Sequence, residues 1–205
     1  SDSNCLYNAL IVRADTTYVS TDGAHIWPYD TPQNASTNFV DAITWSGRKV
    51  VVAEGTYYGA KMERDIYGGV TPCVLACSRK IEIAGSEDPS KTVIDCAGNA
   101  NWYGVYIGQN ALFHGFMITN GSTVQSTGGS IMAIGSAVVS NCVVQGGAGG
   151  VRLTGNAVFT DGVISNLFIR SDKYVALSMS SGRLYNSRLA NLTGQWNKST
   201  LMTDG

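Results

Sequence analysis

Between residues 111 and 189 the chain repeats one hydrophobic pattern four times: Ala111 to Ile118 (ALFHGFMI), Ala137 to Val144 (AVVSNCVV), Ala157 to Ile164 (AVFTDGVI) and Gly182 to Leu189 (GRLYNSRL), with starting residues 26, 20 and 25 apart. A unit recurring at this spacing predicts a solenoid, in which each turn buries its apolar side against the turns above and below. The predicted inward columns are Ala111, Ala137, Ala157 and Gly182; then Phe113, Val139, Phe159 and Leu184. After a corner at Gly115, Asn141, Asp161 and Asn186 they resume with Phe116, Cys142, Gly162 and Ser187, and end on Ile118, Val144, Ile164 and Leu189. Asn and Asp suit a corner because they tolerate left-handed backbone and bond locally.

A second strand position is read through alternating apolar pairs: Val50 and Val52, Ile81 and Ile83, Val105 and Ile107, Ile131 and Ala133, Val151 and Leu153, Leu177 and Met179. Period two places each pair on one strand face. Like residues stacked on like, turn after turn, are what a parallel β-helix requires, because its turns pair in register. A β-sandwich of the same short strands would not need the four phrases to align column by column.

Ahead of the turns, residues 36–45 put Phe39, Val40 and Ile43 on one helical face behind Ser36, Thr37 and Asn38 as candidate N-caps. This predicts a short helix that caps the open end of the solenoid or packs on its side. Residues 1–35, broken by the turn-rich stretch Ser20 to Gly23 and by Pro28 and Pro32, are expected to be irregular. The expected organisation is one structural domain: an N-terminal segment and capping helix over 1–45, the β-helix over 46–193, and a C-terminal tail over 194–205.

Composition narrows the function classes. The 14 Lys and Arg nearly balance 15 Asp and Glu, which argues against a nucleic-acid or polyanion binder working by charge. No apolar run is long enough for a membrane span, and the stretch Cys5 to Val12 is too short and lacks the basic flank of a signal peptide. Cys73 and Cys77, four apart in what reads as a loop, would supply only half the ligands of a zinc site. Cys142 reads as a small buried hydrophobe in the Phe116 column. A disulfide within Cys5, Cys73 and Cys77 stays open.

No catalytic constellation is visible. The outward columns read Leu112, His114, Met117, Thr119; Val138, Ser140, Val143, Gln145; Val158, Thr160, Val163, Ser165; and Arg183, Tyr185, Arg188, Ala190, without a carboxylate. His25 and His114 have no Ser–Asp or Cys partner in a motif. Lys61, Glu63, Arg64 and Asp65 form the densest charged cluster, on an insertion that reads as a solvated loop. The best candidate ligand-binding edge is a set of loops carrying Trp102, Tyr103, Arg170, Lys173, Tyr174 and Trp196, whose rings would stack on sugars while the cations bond them. Three outward turns carry Leu112, Val138 and Val158 beside Met117, Val143 and Val163, where polar residues are usual. That stripe predicts an interface, covered by the N-terminal segment, a further domain or a second copy.

Several stretches resemble a known family: Tyr18 to Gly23 (YVSTDG), the helix near Phe39 to Ile43, Val50 to Tyr57 (VVVAEGTY), Ile81 to Gly85 (IEIAG) with Thr92 to Asp95 (TVID), and the repeats Phe116 to Gly121 and Leu184 to Ser187. Together, over about residues 18 to 193, they are similar to the right-handed parallel β-helix proteins of the pectate-lyase-like superfamily, closest to bacterial surface proteins with polymorphic outer-membrane-protein-like repeats. The resemblance implies an all-β, single-stranded right-handed parallel β-helix of about six turns with a short N-terminal capping helix. Members of the family are typically exported, which implies a secreted or cell-surface bacterial protein; because no family catalytic set can be carried over, the chain is expected to be non-catalytic and to serve adhesion or the binding of a glycan or host surface ligand. The alternative it implies is a polysaccharide lyase acting on an acidic polysaccharide. Calcium is the cofactor such a lyase would use, and no carboxylate cluster supports it; Asp95 falls where the look-alikes carry framework.

Overall fold

The computed structural model describes residues 13–59, 61–64, 70–96, 103–121, 129–169, 176–194 and 201–204. Strand is the dominant element, and nearly all of it is parallel. One sheet of eleven strands and one of seven face each other across a shared core, and the chain passes from one to the other and back, each pass pairing with the pass before it.

The repeated phrase sets the register of the first sheet. Strand Val138–Gly147 pairs with Leu112–Gly121 so that Val139 lies on Phe113, Cys142 on Phe116 and Val144 on Ile118. The next two passes continue it, through Phe159 to Leu184 and through Ile164 to Leu189. Each of these columns is buried as far as Phe159 and Ile164, and Leu184 and Leu189 close them partly buried. Removing such a side chain from water contributes about 1.5–3 kcal/mol, so the aligned columns are the main stabilising feature. They also exchange volume. Where Phe159 is large its partner Gly162 is minimal, and a Cβ added at Gly162 would lie 2.5 Å from the Phe159 ring.

The corner falls where the pattern put it. Gly115, Asn141, Asp161 and Asn186 all have φ between 39° and 79°, the left-handed region that short amides and glycine tolerate best. Two further corner columns carry the same conformation and were not recognised in the sequence: Asn120, Gly146, Asn166 and Asn191, and Gln109, Gly135, Gly155 and Ser181. Side-chain bonds run along them. Asn120 Nδ2 donates to Asp95 Oδ1 at 2.8 Å, Asn191 Nδ2 to Asn166 Oδ1 at 3.2 Å, and Asn186 Nδ2 to Asp161 Oδ1. Asp95 is thereby part of the framework.

The second sheet stacks Val105, Ile131, Val151 and Leu177 in one column and Ile107, Ala133, Leu153 and Met179 in the next. Its earlier members differ from the expected ones. Leu75 and Cys77, on strand Val70–Cys77, precede Val105 and Ile107. Val50 and Ile83 belong instead to the first sheet, where Val50 pairs with Ile83 and Ile83 with Phe113. Alternation alone does not say which of two parallel sheets a strand joins, and the segment between Tyr58 and Cys73 upset the count of turns. Part of that segment, Lys61–Arg64, is a strand antiparallel to Val70–Cys77 rather than a loop; Asp65 is outside the described residues.

Both ends reach past residues 46–193. Ala14–Val19, expected to be irregular, is a strand parallel to Ser46–Val52, and Leu201–Asp204, in the expected tail, pairs with Leu177–Ser180. The first was hidden because the polar Thr17 takes an inward position; its hydroxyl donates to Ala42 O at 2.9 Å, inside the core. Ala42 lies in the helix Phe39–Trp45, which buries Phe39, Ala42 and Ile43. Asn38 caps it, its Oδ1 accepting from Asp41 N–H at 2.9 Å. The helix occurs between two strands of the first sheet, where later turns insert a strand of the second, and it touches Ala14–Val19, Ser46–Val52 and Val70–Cys77. It thus closes the end of the core.

Candidate functional site

The first sheet bends at its left-handed corner into two walls, and the outward side chains divide between them. Leu112, Val138 and Val158 form a row on one wall, and Met117, Val143 and Val163 a row on the other. All six are partly exposed. Both rows end in exposed arginines, Arg183 and Arg188. The loop 85–91 lies along the ridge between the walls: its short 3-10 turn Pro89–Lys91 touches the strands Leu112–Gly121 and Val138–Gly147, and Asn141 Nδ2 donates to Glu87 O at 3.0 Å. The described N-terminal strand extends the sheet at its end and does not lie across these rows.

One turn earlier the outward columns hold two carboxylates. Glu82 precedes Leu112, and Asp95 precedes Thr119. Glu82 Oε1 sits 2.7 Å from Lys49 Nζ and 3.1 Å from His114 Nε2. The Lys49 ammonium, and after it the His114 ring, hold the Glu82 carboxyl below its ordinary range, against the opposing effect of burial. Sequence reasoning missed this triad because the turn holding Ile81 and Ile83 was assigned to the other sheet. Once Ile83 is placed beneath Phe113, the neighbours Glu82 and Lys49 fall into the Leu112 column.

Beside the triad lies an open pocket of about 370 Å³, lined by Arg48, Lys49, Lys80, Ile81, Glu82, Asn110 and Leu112. Two of its cations are fixed: Arg48 is bidentate to Asp15, with Nε to Oδ1 at 2.7 Å and Nη2 to Oδ2 at 2.9 Å, and Lys49 is held by Glu82. The result is a shallow surface with an apolar floor, hydrogen-bond donors at its rim and an excess of positive charge.

The predicted binding edge falls mostly outside the described residues: Trp102, Arg170, Lys173, Tyr174 and Trp196 all do. Tyr103 is described, and it packs partly buried against a second apolar cluster of Cys73, Tyr106, Met132 and Ile134. Cys73 and Cys77 are therefore buried on a strand, not in a loop. Cys142 is buried as a member of the Phe116 column, and that burial pushes its thiol up to about 12. Among the described residues no group of three or more His, Cys, Asp or Glu gathers as a metal site.

The other histidine does have an acid and a hydroxyl beside it. His25 Nε2 is 3.3 Å from Asp41 Oδ2, and Nδ1 is 3.0 Å from Thr37 Oγ1. Yet Nδ1 also accepts the Thr37 backbone N–H at 3.0 Å. Its single lone pair is engaged there, so the ring ties the entering loop to the capped helix instead of activating the hydroxyl.

Compared with protein-family models, curated proteins and solved structures, the chain finds no match in any of the three. No helix among the described residues is long and apolar enough to cross a membrane.

Proposed function

We propose that this chain is a right-handed parallel β-helix of about six turns, of the pectate-lyase-like kind found in bacterial surface proteins with polymorphic outer-membrane-protein-like repeats. Its role is non-catalytic: a secreted or surface-displayed domain that serves adhesion by binding glycans. The observation that carries the binding reading is the pocket beside Glu82, where Arg48, Lys49, Lys80 and Asn110 surround the apolar Ile81 and Leu112. Small sites that combine an apolar floor with a few placed donors are the usual form of a saccharide or small-ligand site, and four of the lining residues, Arg48, Lys49, Glu82 and Leu112, stand on strands, which hold a site more rigidly than loops do. The edge expected from the sequence, with Trp102, Arg170, Lys173, Tyr174 and Trp196, stays part of this reading, while Tyr103 packs against an apolar cluster instead. The rows through Val138 and Val143 are the face for self-association or for a further domain.

The test is a glycan array followed by titration of the bound saccharides with Lys80→Ala and with a Trp102→Ala and Trp196→Ala pair. Loss of affinity in either variant supports the reading, and unchanged binding in both removes these two surfaces from it.

A second reading, an acidic-polysaccharide lyase, is favoured by one feature. His114 and Glu82 stand beside a cationic pocket, as a base next to an anionic sugar would require. Incubation with acidic polysaccharides, followed by the absorbance of unsaturated products, tests it; a flat trace removes it.

A further inference from the structure

The capped end of the core carries an aromatic feature that neither the repeat nor the Glu82 pocket uses. Trp27 is 56% exposed, and its neighbour Ile26 is 53% exposed. The Trp27 indole stands edge to face with that of Trp45, ring centroids 5.8 Å apart and planes 83° apart. Two perpendicular rings form a floor and a wall.

Each ring is mounted on fixed backbone. The loop bearing Trp27 is tied to its own return segment by Ala24 N to Gln33 O at 3.2 Å, His25 N to Ala35 O at 2.9 Å and Ile26 N to Asn34 O at 3.2 Å. It is tied to the first strand by Tyr18 N to Tyr29 O at 2.8 Å. Trp45 ends the helix whose other face is in the core, and Arg79 spends its guanidinium on the carbonyls of Thr44 and Ser46 at that helix end. Leaving an indole in water forgoes the stabilisation its burial would contribute, and a rigid mounting keeps the arrangement ready without an ordering cost on binding.

We propose that Trp27 and Trp45 form a second saccharide site, taking a pyranose ring of a neutral glycan. A sugar offers one apolar C–H face to lie on an indole and a polar edge for the solvent side, which suits a two-ring corner. The charge of the surroundings favours the neutral class: from residue 14 to 47 the chain carries Asp15, Asp22, Asp30 and Asp41 and no Lys or Arg, and the cations that reach this end are engaged, Arg48 on Asp15 and Arg79 on the Thr44 and Ser46 carbonyls. A polyanion finds no excess of positive charge there, in contrast to the Glu82 pocket. The site rests on the saccharide-binding reading and adds a separate surface to it.

The test is calorimetric titration of the full chain with cellohexaose, xylohexaose, mannohexaose and hexagalacturonate, using wild type, Trp27→Ala, Trp45→Phe and Lys80→Ala. Trp27 is exposed, so its removal leaves the fold intact, which thermal melting checks. The expected result is saturable binding of a neutral hexaose, weakened about tenfold by Trp27→Ala, also weakened by Trp45→Phe, and unchanged by Lys80→Ala. Neutral binding that survives Trp27→Ala overturns the site and leaves the broader reading standing. Binding of hexagalacturonate alone, abolished by Lys80→Ala, does the same. No binding of any of the four overturns both.

Discussion

The rings of Phe113 and Phe116 lie stacked, with centroids 4.3 Å apart and planes within 8° of parallel, although they stand on opposite sides of the left-handed corner at Gly115. The corner turns both inward, so a spacing of three residues, which would put two side chains on opposite faces of a straight strand, here brings them into contact. Replacing Phe113 by Ala should cost about 3–5 kcal/mol, the range for truncating a buried aromatic. Urea unfolding followed by circular dichroism measures it.

Asn141 holds φ 45° at the same corner one turn later. Asn141→Ala should destabilise by about 1–2 kcal/mol, the cost of left-handed backbone for a side chain without local bonding. Asn141→Gly, which loses the same bond to Glu87 O, should be milder because glycine reaches that conformation freely. Denaturation midpoints of the two variants decide it; equal losses would assign the effect to the Glu87 bond instead.

Much of this region was legible beforehand because four phrases of one length class align without gaps, and each column has a single side-chain character. Phe113, Val139, Phe159 and Leu184 required nothing but stacking to be placed. The earlier turns were less legible for physical reasons. Val50 alternates with Val52 and Ile83 with Ile81 just as Val105 does with Ile107, and only backbone pairing tells which sheet they join. Thr17 is polar and yet inward, because a helix carbonyl satisfies its hydroxyl. The Lys49, Glu82 and His114 triad was invisible for the same reason: its members are 33 and 32 residues apart and become neighbours only once the turns are counted correctly.

The ion pairs of Glu82 give stability a pH dependence of known sign. Its folded pKa lies below the ordinary 4.5, so its contribution is present above that value and fades as pH falls through the folded pKa. The melting temperature of wild type should exceed that of Glu82→Gln at neutral pH, and the gap should close at acid pH. Thermal melts of both proteins across that range check it.

Cys142 should be inert in the native protein. Its thiol, raised to about 12 by burial, stays protonated at neutral pH and is shielded from reagent. Alkylation at pH 8 with peptide mapping should modify it only at the rate of global unfolding. Fast native labelling would mean that the Phe116 column opens locally.

The most direct test of the central claim, a binding domain without catalysis, is one titration in which the heat of binding and the absorbance of unsaturated products are recorded on the same sample. The protein is titrated with neutral and acidic oligosaccharides in turn. A saturable heat with a flat absorbance trace is the predicted result. Rising absorbance, or the absence of saturable binding to every saccharide, would contradict it.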